Sequence, residues 1–430
     1  MAPARCGRGA AAGVALLLTL AGSASGFSPS TTPRPGRSQP ASLRRPRQLQ
    51  EQQLQWQGRH YYVGVAAAAT GGDAALSPDI VVIGGGVAGL TTALEAARRG
   101  SGRVVVLSRD VTEAASNAAG GMIAPQSERL GNGPNLELAL EARAVWMDWL
   151  GELEVLVRAG GGAPSGPEEV AGLVVAGGFI APAFAGDAVE AWRPPPDAGA
   201  AHWLDAAAVR QFEPSLSDEV VGGWWFPEDF QVDPRLLMAS LRRACNFAGV
   251  SIVEGPAGTA TQLIPDSTGR RIAEVRTESG MRFTDPEAVV VANGAWLRQL
   301  LPLPVTPHKG QMLALRPPPV ATASSLGPTP QDSTPPSPLL TRTLFAESCY
   351  IIPKSDGRVV VGATVEPGRW DLRSTAAGVA TLLGNAVDTC PELAEWEVVD
   401  TWAGLRPTTP DYLPILGRLD GYLENVYAVS

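Results

Sequence analysis

The chain has 430 residues, 45% of them hydrophobic, and a formal charge of −9 at pH 7. That length supports a large core or two interleaved domains. An acidic balance of this size is ordinary for a soluble enzyme and argues against a nucleic-acid partner.

Residues 1–50 contain no Asp or Glu. Arg5 and Arg8 precede an apolar run from Ala10 to Ala21, and the small residues Gly22 to Gly26 follow. This is the layout of a secretory signal peptide, here residues 1–26. The run is shorter than the roughly 20 apolar residues that span a bilayer, so no membrane anchorage is expected after processing. From Phe27 the chain is basic and hydroxylated, the composition of a transit peptide, and with an Ala/Gly-rich linker it extends to 78. Joined at Ala24-Ser25-Gly26-Phe27, the two segments resemble the bipartite presequence of algae with secondary plastids. A plastid is the expected location, with secretion behind a disordered linker as the alternative. Cys6 falls in the leader, leaving the widely spaced Cys245, Cys349 and Cys390. With no Cys-x-x-Cys pair, neither a disulfide framework nor a metal site is expected.

Ordered sequence is expected from about Pro78. Asp79 to Ile83 is a short apolar run of β-branched type, as a strand buried on both faces requires. Leu90 to Arg98 has helical character and ends at Gly100, a C-cap residue. Val104 to Leu107 is a second buried strand, completing a βαβ unit within about 30 residues. Glu137 to Val157 reads as one or two amphipathic helices carrying Trp146 and Trp149. From Pro164 to Phe230, apolar segments alternate with Gly and Pro turns, the pattern of an antiparallel sheet with small helices. Asp233 and Pro234 open a helix as N-cap and first-turn proline, running to about Phe247. Gly249 to Val253 fits a third strand of the nucleotide sheet, and Glu287 to Ala292 another. Residues 316–338, rich in Pro, Ser and Thr, read as a disordered insertion. Arg358 to Gly362 is a strand beyond it. The parts of the nucleotide-binding unit lie far apart in sequence, so the two domains interleave.

Gly84-Gly85-Gly86-Val87-Ala88-Gly89 follows the first strand and opens the first helix. Gly84 permits the tight turn, Gly86 lets a diphosphate approach the backbone, and Gly89 lets helix and strand pack closely. The diphosphate belongs at the positive helix N-terminus, at Val87 and Ala88. Strand, loop, helix and second strand supply the context that makes this pattern a dinucleotide site. The second strand ends in Ser108, Arg109 and Asp110, where an Asp or Glu normally meets the adenosine ribose. A Ser-Arg pair suits a 2′-phosphate, so NADP stays open here, as does a ribose hydroxyl bound by Ser108 or Asp110. The small-residue run Glu113 to Pro125 follows. Its amides and hydroxyl can reach an extended cofactor such as FAD through Ser116, Ala118, Ala119, Gly120 and Met122; a flexible loop is the bland alternative.

Residues 79–125, with Val104 to Asp110 leading into Ala118-Ala119-Gly120-Gly121-Met122, resemble the glycine oxidases of the D-amino-acid oxidase superfamily. The likeness is to the cyanobacterial type associated with thiamine-thiazole synthesis. It continues through Asn293-Gly294-Ala295-Trp296, Pro307 to Gln311, Cys349 to Pro353, Val361 to Thr364 and Trp402 to Pro407. The resemblance implies FAD as cofactor and adds Val253, Asn293, Gly294 and Trp296 to its binding set. The fold class it implies is α/β: a Rossmann-like FAD-binding domain with a parallel sheet (79–163, 235–305 and 398–430). That domain interleaves with a mainly antiparallel α+β substrate domain (164–234 and 306–397).

By the same resemblance, Arg406 pairs with the carboxylate of a small amino acid or amine substrate, a task that bidentate guanidinium geometry suits. Tyr350 lies beside the substrate and donates to the same carboxylate. On residue type alone, Arg406 is a surface or structural arginine and Tyr350 an ordinary sheet residue. The implied reaction is oxidation of glycine or a small amino acid to the imine, with oxygen reduced to hydrogen peroxide. The imine would feed thiazole formation, a functional link to a thiazole synthase; a homo-oligomer is a further expectation. A flavin dehydrogenase with another electron acceptor and a non-catalytic module are the alternatives.

Departures from the family lie at Ser348, where a His can stand two residues before the Tyr, and at Val365, where a Met can follow. Both are expected at the pocket wall. His308 reads as a structural hydrogen-bonder. The chain stops at Asn425 to Ser430, which reads as the start of the family's last nucleotide strand. The reading is a truncated chain, with weak flavin retention and little activity expected if the product ends there.

Overall fold

The computed structural model describes residues 75–161, 166–173, 177–195, 199–318, 339–419 and 423–430. The expected leader up to residue 74 and most of the Pro-rich insertion lie outside them. Order begins ahead of Pro78, because Ala75–Leu76 is a strand pairing in parallel with Arg282 and Phe283.

The βαβ unit is formed by β1 (Ile80–Ile83), α1 (Val87–Arg98) and β2 (Val104–Ser108). Helix α1 starts three residues before the expected Leu90, since extended Gly86 is its N-cap and the glycine motif itself supplies the first turn. The stretch from Glu137 to Val157 is one helix, α2 (Pro134–Ala159), with Pro134 in its first turn. Helix α3 (Pro234–Phe247) has the expected start: Asp233 accepts from the amides of Arg235 at 2.9 Å and Leu236 at 3.2 Å. Strands β3 (Ser251–Glu254) and β4 (Ala288–Val291) complete the parallel centre. The six-stranded sheet runs Leu416–Arg418, Val426–Val429, β4, β1, β2, β3.

Alternation along these strands divides the core. Val82, Val104, Val106 and Val290 pack on the face holding Trp146 and Leu150 of α2 and Leu241 of α3. Val81, Ile83, Val105, Leu107, Val289 and Val291 face the opposite way, against Phe283, Val275 and Leu297. Strands buried on both sides must be apolar throughout, which is why they read as continuous runs.

Among the described residues the second large sheet has nine strands, including β5 (Thr306–Arg316), β6 (Tyr350–Pro353), β7 (Val359–Gly362) and β8 (Glu397–Thr408). It is mainly antiparallel, and β8 pairs with β5 from Thr306↔Thr408 to Arg316↔Glu397. This corrects the expected boundary at 398. Residues 397–408 belong to the antiparallel sheet, and only the strands from Leu416 onward return to the parallel one. The long β5 ladder, a non-local pairing, decides the matter. A small ribbon, Met122↔Gln231 and Ile123↔Phe230, joins the segment after the βαβ unit to the start of α3.

Cys245, Cys349 and Cys390 are free and buried, and no cluster of metal-binding side chains occurs among the described residues. No described helix is long and apolar enough to cross a membrane.

Asn425, 2% exposed, locks the end of the chain onto the neighbouring sheet. Its Oδ1 accepts from Ile272 N at 2.8 Å, and its Nδ2 donates to the carbonyls of Ile272 at 3.0 Å and Pro286 at 3.1 Å. Asn425→Ala strands these buried groups and is expected to cost about 3 kcal/mol in urea unfolding. A loss below about 0.5 kcal/mol would show that water replaces the amide.

Candidate active site

The site grows from two backbone contacts. Gly84 has φ +123°, and a Cβ there would collide with the Ala292 carbonyl of the neighbouring strand. A Cβ on Gly89 would collide with the Gly84 carbonyl, so α1 meets the strand end only because both positions are glycine. Gly86 differs: a Cβ there would meet nothing closer than the Ser116 hydroxyl at 3.4 Å. Its backbone therefore borders a cavity at the helix start. Gly84, Gly86, Val87 and Ala88 form one side of that cavity, with Ser108 and Arg109 at the end of β2. Ser116 also lines it, and its Oγ accepts the Val87 amide at 3.0 Å. Asn293, Gly294 and Trp296 close the opposite side. Exposed helix amides, an open glycine and small side chains fit the diphosphate and adenosine of a dinucleotide.

The ambiguity at β2 resolves through Glu113, which the sequence reading did not single out. Arg109 pairs with Glu113, and its guanidinium carbon sits 4.4 Å from the Trp296 ring centroid. The charge that could have greeted a 2′-phosphate is thus already met on two sides. Glu113 also lines the cavity, where a carboxylate accepts hydroxyls and repels phosphate. The i,i+4 spacing of Arg109 and Glu113 was the signal available. Asp110 also lines the cavity and builds the turn: Thr112 donates to its Oδ1 from the amide at 2.7 Å and from Oγ1 at 2.6 Å. Those bonds hold its carboxyl below the usual range.

Six expected cofactor residues do not line the cavity. Val253 is paired with Leu107 and packs in the core, as an apolar side chain on β3 must. The cavity is reached instead by Gly258, Thr259 and Ala260 after that strand. Gly89 stays beneath the cavity in its packing role.

Ala118, Ala119, Gly120 and Met122 do not line the cavity; they lead away from it to the antiparallel sheet. Trp402 Nε1 donates to the Ala118 carbonyl at 2.9 Å, and Gly404 leaves room for the Ala118 methyl. Ala119 packs against the helical face of the parallel sheet, and Met122 pairs with Gln231. A Cβ on Gly120 would lie 3.2 Å from the Tyr350 ring.

There Tyr350 and Arg406 come together. Both lie in gaps left by strand glycines: Gly310 on β5 leaves room for the Arg406 guanidinium, and Gly362 on β7 for the Tyr350 hydroxyl. A Cβ would fall 2.7 Å from the guanidinium in the first case and 2.6 Å from the hydroxyl in the second. Arg406 donates to the Thr364 carbonyl at 3.2 Å, and Tyr350 Oη lies 3.7 Å from Met312 Sδ. Burial raises the Tyr350 pKa, and the neighbouring Arg406 opposes the rise. His308, opposite Arg406 in the ladder, has its pKa lowered by burial and then by that guanidinium. On the opposite face of the same strand, buried Lys309 is neutralised by Asp371 at 2.8 Å and Glu366 at 3.8 Å. Among the described residues no carboxylate pairs with Arg406. Ser348 and Val365, expected at the pocket wall, are exposed.

A family model described as FAD dependent oxidoreductase matches residues 79–430. Bifunctional protein ThiO/ThiG from Synechocystis sp. is 40% identical over 340 residues, covering 79% of this chain and 46% of that protein. The chain therefore spans about half the length of such relatives. Glycine oxidase of Geobacillus kaustophilus is 33% identical over 353 residues, covering 79% of this chain and 84% of that protein. The crystal structure of glycine oxidase from that organism matches with a TM-score of 0.68 at 31% identity, over 82% of this chain and 89% of the other.

Glu113→Ala, in protein freed of flavin, is expected to weaken ADP binding about tenfold and to improve binding of adenosine 2′,5′-bisphosphate. Calorimetric titration of both nucleotides checks this; an unchanged affinity ratio removes Glu113 from the site.

Proposed function

The chain belongs to the family of FAD-dependent oxidoreductases, and on that premise we propose that it oxidises glycine or a similarly small amino acid. One amine and one oxygen molecule become one imine and one hydrogen peroxide. The observation that carries this reading is the Arg406 guanidinium, without a carboxylate partner among the described residues, held beside Tyr350 where the small-residue run arrives.

When bound, FAD would supply the two-electron redox chemistry, with oxygen as the proposed final acceptor. The diphosphate and adenosine are held by the Gly84–Gly89 loop, Ser116 and the Glu113–Arg109 pair. Arg406 supplies charge-assisted hydrogen bonds to the substrate carboxylate. Burial keeps the Tyr350 hydroxyl protonated, so it donates to the same carboxylate. Two donors on one carboxylate fix the orientation of the α-carbon, which is the main service a protein gives to such a cofactor. His308, neutral by burial beside Arg406, adds no second positive charge to compete for the substrate.

The ThiO/ThiG relatives support a role in supplying thiazole synthesis, and with it a functional link to a thiazole synthase. We also propose that residues 1–78 direct the chain to a plastid; a fluorescent fusion that is secreted instead removes this.

Arg406→Ala is expected to raise the KM for glycine about a hundredfold, with Arg406→Lys intermediate, read as peroxide release. Tyr350→Phe should cost about fivefold, the worth of one hydrogen bond. Turnover with an artificial dye but no peroxide would replace oxygen by another acceptor. A glycine KM unmoved by Arg406→Ala would overturn the carboxylate assignment.

A further inference from the structure

Lys354 follows the strand that carries Tyr350, and it is 9% exposed. Its Nζ donates to the Gly120 carbonyl at 2.8 Å, to Gln231 Oε1 at 3.0 Å and to the Val232 carbonyl at 3.0 Å. An ammonium has three N–H bonds, so every proton has one acceptor. All three acceptors are neutral. The charged groups around it are Asp233, Arg358 and Asp356. Asp233 is engaged by the amides at the start of α3, and Asp356 is paired with Arg358. A buried cation facing only neutral oxygens is costly unless its geometry is well satisfied. Gln231 is oriented for that purpose, its Nε2 donating to the Pro353 carbonyl at 2.6 Å.

The three acceptors belong to the small-residue run and to the ribbon strand paired with it, whereas Lys354 belongs to the antiparallel sheet. Gly120, whose carbonyl the ammonium holds, lies beside Ile352 and Tyr350, both of which a Cβ there would crowd. We propose that Lys354 is a positioning residue. Its ammonium ties the 118–122 run, which leads out of the cofactor cavity, to the Tyr350 strand and so sets the distance between that cavity and the substrate's carboxylate anchor. The substrate half of this statement rests on the function proposed above; the cofactor half does not.

Burial pushes the Lys354 ammonium down to about 8. The neutral amine keeps two N–H bonds and turns a lone pair toward one of three carbonyls, so the tether loosens as pH rises through that value. Stability moves the other way. Between about 8 and the ordinary 10.5 the unfolded chain binds more protons than the folded one, so the wild type gains stability with rising pH relative to a variant lacking the amine.

The test compares wild type with K354M, which keeps length and loses the donors, and with K354A supplemented by ethylammonium or by ethanol. FAD affinity is read by flavin fluorescence, and glycine KM and kcat by peroxide release. K354M is expected to raise the FAD dissociation constant about tenfold. It should also remove the loss of affinity that the wild type shows between pH 7 and 9. Ethylammonium, but not ethanol, should restore affinity to K354A. On the substrate side, KM should rise more than kcat falls. If K354M does not fold, the K354A rescue and its pH dependence carry the test. Wild-type FAD affinity in K354M, equal pH profiles in both proteins, or equal rescue by ethanol would overturn the proposal. Loss of FAD affinity without any glycine turnover in the wild type would instead discard the substrate reading and leave the tether standing.

Discussion

The contact on which the site depends is between two backbones, Gly84 and Gly89. Because neither carries a Cβ, the first turn of α1 rests directly on the carbonyl at the end of β1. The helix N-terminus is thereby aimed at a cavity bordered by Gly86. Aligned peptide dipoles and unpaired amides make this end attractive to a diphosphate without any cationic side chain. Ser116 adds to the arrangement by taking the Val87 amide, which fixes the loop after β2 against the helix start.

From there the geometry passes to the second sheet through residues that have almost no side chain. Ala118 meets Gly404 too closely for any larger residue there, and Gly120 leaves space for the Ile352 side chain beside the Tyr350 ring. The same device recurs inside the sheet, where Gly310 and Gly362 leave the gaps that Arg406 and Tyr350 occupy. Glycine in a strand interior weakens the strand, so its presence at both places points to a close approach. Charge follows the same logic. Lys309 and Arg143 are matched by acids, Lys309 with Asp371 and Glu366, and Arg143 with Asp229 at 2.7 Å and Glu228 at 2.5 Å. Arg406 is met by the Thr364 carbonyl and the Tyr350 hydroxyl and, among the described residues, by no carboxylate, so its charge is left for a ligand.

Local signals in the sequence were read correctly where the physics is local. Asp233-Pro234 marks a helix start because capping involves neighbours two and three residues away. The apolar runs at Ile80, Val104 and Ala288 mark doubly buried strands because burial leaves no room for polar alternation. The glycine motif put Gly84, Gly86, Val87 and Ala88 at the helix start, and there they line one cavity, since each position follows from local conformation. What escaped was non-local. Nothing in residues 397–408 says which sheet will pair with them, and the answer lies in β5, some ninety residues earlier. Val253 entered the cofactor set through the family resemblance, and strand alternation turns its side chain into the core, which only the assembled sheet reveals. Glu113 is the exception, a local pair with Arg109 four residues earlier that the sequence reading passed over.

That last pair also explains how a strand end without the usual acid serves the same fold. A carboxylate on the strand itself would present its charge directly to the ribose. Here the strand supplies a cation, and the following turn supplies the acid that cancels it. Trp296, arriving from the far side after β4, covers the guanidinium and removes it from competition for phosphate. The net result is a cavity rim that is close to neutral at Arg109 and still offers carboxylate oxygens at Glu113. Selectivity for an unphosphorylated ribose can therefore reside in a salt bridge between neighbouring turns. It does not require one residue at a fixed position in the motif.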